Sequence, residues 1–314
     1  MAKLLDKKVL IIGALGQDGL ILSQKLIAKG AQVFGIIKDN NLDRPLRSKV
    51  MYTVADFSNK NTAFEFLNHL KPDFIFHLAA RHSDSRHMNQ IEFEFASDIY
   101  DSTVGICLNL LDWQKNSPRA KIFFALSSFM YAENPSTQQI SIDSDYSPKG
   151  LYGQHKVEMH QMIMDYRMKY NSQAVGMILF NHTSIYSKSN FLLPTLARTL
   201  KNLLELHTST AEIHEANTLV DISDANDFCD GFIRIMIHDE VEDFIFSSGK
   251  FITIQQIVEE VLETKYRKLV GKINFIPFDG EPKKSICGDI TKTVSKLGWR
   301  PTSSITPTLI RMIG

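Results

Sequence analysis

Apolar residues in the first half of the chain come in short compact runs, separated by stretches whose apolar positions recur at helical spacing. Lys8–Gly13 is such a run, and Gln17–Lys29 after it has the three-and-four spacing of a helix with one buried stripe. Ala31–Ile37 is a second strand-like run, with Gly30 as the stop for the helix before it. A third strand precedes Asp56, and Phe74–Leu78, Lys121–Leu126 and Ala174–Phe180 repeat the pattern. Runs that are apolar on both faces, with helices between them, predict an α/β fold: a doubly wound parallel sheet covered by helices on either side.

The second half is less regular. Residues 181 to about 218 read as loops with one helix, Leu193–Leu206. Asp224–Ile237 and Thr253–Thr264 read as helices, with Glu242–Ser247 between them as one more buried strand. The end, LGWRPTSSITPTLIRMIG, reads as a turn and a short terminal helix. No repeat, low-complexity tract or Pro/Gly/Ser linker separates the two halves, so the elements after residue 180 are expected to interleave with the sheet.

Composition narrows the classes. Of 314 residues, 44% are hydrophobic and 22% charged, ordinary for a globular chain and unlike a disordered one. Lys plus Arg is 35 and Asp plus Glu is 35, so no net field draws in nucleic acid or an acidic membrane. The N-terminal MAKLLDKKVLIIGALG ends its apolar run in a glycine turn and reads as a buried strand, not a signal peptide or membrane span. Cys107, Cys229 and Cys287 are widely spaced, with neither metal nor redox spacing, which suits a reducing cytoplasm.

The candidate chemistry gathers at strand ends. Gly13-Ala14-Leu15-Gly16-Gln17-Asp18-Gly19 lies between the first strand and the first helix, where glycines let backbone N–H groups approach a pyrophosphate. In that setting Gly13, Gly16, Gln17, Asp18 and Gly19 predict a Rossmann-type dinucleotide site for NAD(P). At the tip of the second strand, where an acid would bind the ribose of NAD, the chain has Ile37 and then Lys38, which leans toward NADP; Asp39 is next and pulls the other way. Asp56 is placed to meet the adenine or to start a helix. His77 reads as a core histidine, and the small Ala79 and Ala80 let the chain pass close to the dinucleotide.

Tyr152 and Lys156 are four apart on a predicted helix and share a face, and Ser127 ends the fifth strand. An ammonium beside a phenol is expected to lower its pKa, so that the tyrosine exchanges a proton with a sugar hydroxyl while hydride moves, with the serine orienting the oxygen. Ser127, Tyr152 and Lys156 are therefore the candidate catalytic residues, Tyr152 and Lys156 also touching the cofactor. Arg81 and Arg86, in the segment Arg81–His87, suit a diphosphate or a solvated loop. The histidines of that segment fit no standard metal-ligand set, and no metal is expected. Met159, Met162, Met164 and Met168 read as core or dimer packing, and Tyr131 as lining or filling the sugar pocket.

Together these residues resemble the extended short-chain dehydrogenases, within them most of all the GDP-mannose 4,6-dehydratase family, nearly end to end. GALGQDG is similar to that family's GxxGQDG turn, Ile178–His182 (ILFNH) to its ILFNH segment, and GDITKTVSKLGWRP to its ending; Asp221 and Asp227 fall where its conserved aspartates lie. The resemblance implies a nucleotide-sugar substrate, oxidation at sugar C4, and a homodimer, or a higher homo-oligomer, through a four-helix bundle. It places Arg81, Ser128, Phe129, Asn181 and Asn190 at the substrate. It also implies a dinucleotide-binding part, 1–180 with 219–250 returning to it, and a substrate-binding part, 181–218 and 251–314.

The departures are as informative. Where the family reads Ser/Thr-Ser-Glu-x-Tyr-Gly, this chain reads Ser127-Ser128-Phe129-Met130-Tyr131-Ala132, so the glutamate that takes the C5 proton is Phe129. Glu133 is the nearest carboxylate in sequence. Family cations near the nucleotide are Val220, Leu193-Pro194-Thr195 and Glu281, though Lys283 and Lys284 follow. The expectation is a C4 epimerase, 4-reductase or 4-dehydrogenase; the alternatives are a 4,6-dehydratase with another base and a non-catalytic dinucleotide sensor. An intact Ser127, Tyr152 and Lys156 argues against the sensor.

Overall fold

The computed structural model describes residues 4–38, 48–79, 100–134, 136, 138–205, 210–280, 285–302 and 304–314. Its centre is one sheet of seven strands: β1 Lys8–Ile12, β2 Gln32–Ile37, β3 Val50–Val54, β4 Phe74–His77, β5 Lys121–Ser127, β6 Ala174–Leu179 and β7 Phe244–Phe246. Their order is β3-β2-β1-β4-β5-β6-β7 and every neighbouring pair is parallel. The doubly wound sheet expected from the apolar runs is therefore what forms.

The two-residue repeat of a strand sends alternate side chains into two cores. Leu10 and Ile12 of β1, Ile122, Phe124 and Leu126 of β5, and Ala174 and Ile178 of β6 face one side. There they meet α2 (Lys60–Leu70), α3 (Ile106–Gln114) and α4 (Gly150–Tyr170). Val9, Ile11, Phe76, Phe123, Val175 and Met177 face the other side, against α1 (Gln17–Ala28) and α6 (Ala225–Met236). The Phe76 and Phe123 rings stack there with centroids 4.6 Å apart.

A third core joins α5 (Leu192–Glu205), α7 (Ile254–Thr264) and α9 (Thr306–Ile313), with Leu200, Ile257, Val261 and Leu309 fully buried. α8 (Thr291–Leu297) precedes α9. α7 starts on a capping box, Thr253 Oγ accepting from Gln256 N at 3.1 Å. Four two-stranded pairings lie outside the main sheet: 181–183 with 222–224, 211–214 with 273–276, 219–220 with 252–253, and 138–140 with 286–288. The reading of 181–218 as loops plus one helix missed two of these strands, 181–183 and 211–214. They are short and lack a repeating pattern, and only their distant partners make them strands.

Buried aspartates tie the C-terminal segments to the sheet. Asp221 accepts from Gly288 N at 3.0 Å and Ser248 N at 2.8 Å, and Asp227 from Thr302 N at 3.0 Å. Asp224 caps α6 through Asn226 N at 2.7 Å and pairs with Arg311 at 2.8 Å. Asp221 and Asp227 are thus held in structural hydrogen bonds. The three cysteines are buried and free, and no helix among the described residues is long and apolar enough to cross a membrane.

Candidate active site

From β1 the chain winds to β2 and β3 on one side, and β4 opens the other side. Such a switch point leaves a crevice at the strands' carboxyl ends. A cavity of about 1550 Å³ opens there. Gly13, with φ +91°, makes the turn out of β1: a Cβ there would stand 2.7 Å from Ala79 N. Gly19 does not line the cavity. It sits in the first turn of α1, where a Cβ would come 2.4 Å from the Gly13 carbonyl, so its part is to let the helix close on the turn. Gly13, Gly16, Gln17 and Asp18 do line the cavity, as do Lys38, Asp56 and Ala79. Asp39, Ala80, Arg81, Arg86 and the rest of 81–87 lie outside the described residues, as do Glu281, Lys283 and Lys284.

Gln17 and Asp18 are also used from behind. The Gln17 side-chain carbonyl accepts from Ser184 Oγ at 3.0 Å and Ser187 Oγ at 2.5 Å. Asp18 pairs with His182 at 2.9 Å. Asp56 accepts from Ser58 N at 3.0 Å and Ser58 Oγ at 2.6 Å, the local turn that starts the approach to α2, while it still lines the cavity.

β5 delivers Ser127 to the cavity, and a single 3₁₀ turn, Ser128–Met130, follows. Ser127 Oγ caps that turn by accepting from Phe129 N at 3.2 Å. α4 brings Tyr152 and Lys156 to the same place. Lys156 is 1% exposed; its ammonium donates to the Ala125 carbonyl at 2.7 Å and lies 5.5 Å from the centre of the Tyr152 ring. Burial dominates both groups. It pushes the Tyr152 phenol up to about 12, against a hydrogen bond from Ser127 that lowers it, with the Asp18 charge adding to the rise. It pulls Lys156 down to about 8. The phenol is therefore raised where a lowering was expected, because desolvation of the phenolate is the largest effect on it and the opposing hydrogen bond comes from Ser127.

Phe129 lines the cavity and packs edge-on against Tyr152, ring centroids 5.8 Å apart and planes at 79°. Gly153 makes room for this turn: a Cβ there would meet the Phe129 carbonyl at 2.6 Å. Ser128, Asn181 and Asn190 also line the cavity. Tyr131 fills the core beneath and is wholly buried, and Glu133 is exposed and outside the cavity lining. His77 is a core histidine whose Nε2 donates to the Thr103 carbonyl at 3.2 Å; burial and then Lys156 lower it to about 3, so it is neutral.

Three groups of lining residues escaped the sequence. Asp101, Ser102 and Ile106 reach the cavity through a π-helical turn, Asp101–Gly105, ahead of α3. Such turns recur at functional sites but leave no mark in apolar spacing. Glu212, Ile213 and His214 arrive on one of the minor strands with Glu215 just after it, and His182 on another. His182 stood inside the ILFNH segment and could have been singled out there. The cluster His238, Glu240 and Glu242 lies away from the cavity, and Lys292 and Lys296 already pair with its carboxylates at 2.7 Å.

A doubly wound parallel sheet with a glycine turn at its switch point, extended by C-terminal strands and helices, defines an extended short-chain dehydrogenase/reductase. A family model described as GDP-mannose 4,6 dehydratase matches residues 10–312, and the chain belongs to that family. It is 25% identical to the GDP-mannose 4,6 dehydratase of Homo sapiens, covering 93% of this chain and 86% of that protein. With that of Vibrio cholerae it shares 23% identity over 98% and 93% of the two chains. Its fold is similar to a UDP-glucose 4-epimerase from Thermotoga maritima, with TM-score 0.81 and 17% identity over 98% and 97% of the chains. A dTDP-glucose 4,6-dehydratase from Bacillus anthracis, solved in complex with NAD, gives TM-score 0.78 and 15% identity over 98% and 95%.

Proposed function

We propose that the protein is an NAD(P)-dependent nucleotide-sugar oxidoreductase that works at sugar C4 and does not eliminate water across C5 and C6. The observation that carries this is Phe129, packed edge-on against Tyr152 where the family places its proton-abstracting glutamate. A phenyl ring cannot move a proton. Hydride chemistry at C4 needs no group there, and Ser127, Tyr152 and Lys156 all line the same cavity.

The residues present fit a dinucleotide. The Gly13 turn has no room for a side chain on its inner face, and the cavity of about 1550 Å³ exceeds the roughly 300–1,000 Å³ of a pocket for one small ligand. When bound, the dinucleotide supplies the acceptor or donor of hydride. Tyr152 then exchanges the proton of the C4 oxygen, Ser127 orients that oxygen, and Lys156 supplies positive charge beneath the phenol. At neutral pH a phenol pushed up to about 12 is protonated, the state that donates to a C4 carbonyl. Lys38 at the β2 tip supports NADP over NAD. Ser128, Asn181 and Asn190 are assigned to the sugar side, and 181–218 with 251–314 to the substrate-binding part. A homodimer or higher homo-oligomer is supported by exposed Leu108, Met164 and Met168 on α3 and α4.

Incubation with GDP-mannose and related nucleotide sugars in deuterium oxide tests the reading. The expected product keeps its C6 substituent and differs by two hydrogens or is isobaric. A product lighter by one water with deuterium at C5, formed at ordinary enzymatic rates, identifies a 4,6-dehydratase and rejects the proposal.

A further inference from the structure

Asp18 poses an electrostatic problem. It lies in the first turn of α1, where N–H groups and the helix dipole would draw a diphosphate, and its carboxylate opposes that anion. His182 answers it. Its Nε2 points at Asp18 Oδ2 at 2.9 Å and its Nδ1 at the Phe180 carbonyl at 2.8 Å. A carbonyl only accepts, so Nδ1 donates to Phe180, and a carboxylate facing Nε2 favours a second proton there: the two contacts suit the doubly protonated ring. The ring also stacks on Phe228, centroids 4.5 Å apart at 25°, a contact that favours a cation. Asp18 Oδ1 takes a further hydrogen bond from Gln17 Nε2 at 3.3 Å.

Among the described residues, the charged and titratable groups around this ring come from α1 and α6. α1 contributes Asp18. α6 contributes its cap Asp224, engaged by Asn226 and Arg311, and Cys229, whose buried thiol is held protonated and donates to the Asp18 carbonyl at 3.6 Å. Burial disfavours the imidazolium, but the Asp18 charge and hydrogen bond outweigh it and raise His182 above its ordinary value. Asp18 in turn pushes the Tyr152 phenol upward, so the same charge reaches the proposed proton donor.

We infer that His182 is a positioning residue for the dinucleotide: its imidazolium cancels Asp18 so that the glycine turn accepts a diphosphate, and its contact pins the 181–187 segment to that turn. The inference rests on the dinucleotide site proposed above. When His182 loses its proton, Asp18 stands uncompensated beside the phosphates and affinity falls.

NADP and NAD titrations by fluorescence between pH 6 and 9 test it on the whole chain, wild type against His182→Gln, Asp18→Asn and the double variant. Lys156 adds its own fall near pH 8 in all four proteins, so the reading is the difference between profiles. Wild-type affinity is expected to drop about tenfold more than that shared component as pH rises. His182→Gln is expected to be about tenfold weaker already at pH 6 and to lack the extra drop. The double variant, with no charge at either position, recovers to within about threefold of wild type at pH 6. Wild-type and His182→Gln profiles that superimpose overturn the inference, even if the variant melts at a lower temperature. Should His182→Gln not fold, Asp18→Asn decides: affinity equal to wild type or better without the extra drop supports the inference, and a tenfold loss at pH 6 rejects it. No dinucleotide binding by wild type at any pH rejects the site itself instead.

Discussion

Lys156 is held in place by a hydrogen bond to the Ala125 carbonyl and a weaker one to Met159 Sδ, and destabilised by its own charge. Its pKa lies at about 8 instead of 10.5 because the ammonium is buried, a difference of about 3 kcal/mol. The sign follows from proton counts: between those values the unfolded chain holds more protons than the folded one, so stability rises with pH across that window and the full penalty is present below it. Lys156→Met keeps the stem, removes the charge and gives up the bond to Ala125, worth about 1 kcal/mol. The variant is expected to gain about 2 kcal/mol at pH 7, to lose that advantage toward pH 10, and to turn over at least about 100-fold more slowly. Urea unfolding at the two pH values checks the first part, and a variant less stable than wild type at both contradicts the burial argument. Tyr152 and Lys156 were legible as a pair from their spacing. That burial would govern their protonation was not, since desolvation depends on how distant segments of the chain pack around them.

Helix α4 carries both residues, so its seat on the sheet matters. Beneath it Asp243 accepts from His160 Nε2 at 3.0 Å and Gly176 N at 2.6 Å, and pairs with Arg167. Tyr146 closes the cluster on His160 Nδ1 at 2.8 Å. His160 first and then Arg167 hold the Asp243 carboxyl below its ordinary range despite burial. A depressed acid contributes stability above its unfolded pKa and loses it as pH falls through the folded value, so this seat weakens only below about pH 4. Asp243→Ala leaves a half-buried guanidinium, a buried imidazole and a backbone N–H without their partner, and is expected to cost about 3–5 kcal/mol. Thermal unfolding measures it; a loss under about 1 kcal/mol would mean that water replaces the carboxylate. The apolar runs announced the strands and α4. They gave no hint of Asp243, which sits inside the run read as a strand and is accommodated there because His160 and Arg167 of α4 reach it.

On the scale of the molecule, the cavity is lined both by the carboxyl ends of β1, β2, β4 and β5 and by segments further along the chain, 181–183, 186–188, 212–215 and Ile254 among them. A ligand filling it therefore stabilises both against unfolding. A dinucleotide at about 100 times its Kd adds about 2.7 kcal/mol by mass action. With Lys38 at the β2 tip, NADP is expected to raise the melting temperature more than NAD at equal concentration. The reverse order in a thermal-shift experiment would mean that the 2′-phosphate meets no net positive charge there.

The sequence by itself determined the sheet, its helical cover, the glycine turn and the Ser127, Tyr152 and Lys156 set. Each of these is written in local terms, as apolar period, glycine placement or a four-residue interval, and parallel strands buried on both faces leave little freedom in how they assemble. It also showed Phe129 after Ser127-Ser128, where the family that the chain resembles reads glutamate, since a motif is local too. Tertiary structure decided the rest. It made strands of 181–183, 211–214 and 219–220 by giving them partners up to 62 residues away along the chain. It set the Phe129 ring against Tyr152, and it joined Asp18 to His182 across 164 residues. Hydrogen bonds between distant segments, and the desolvation that fixes protonation, are properties of neighbours in space, and a single sequence records only neighbours along the chain.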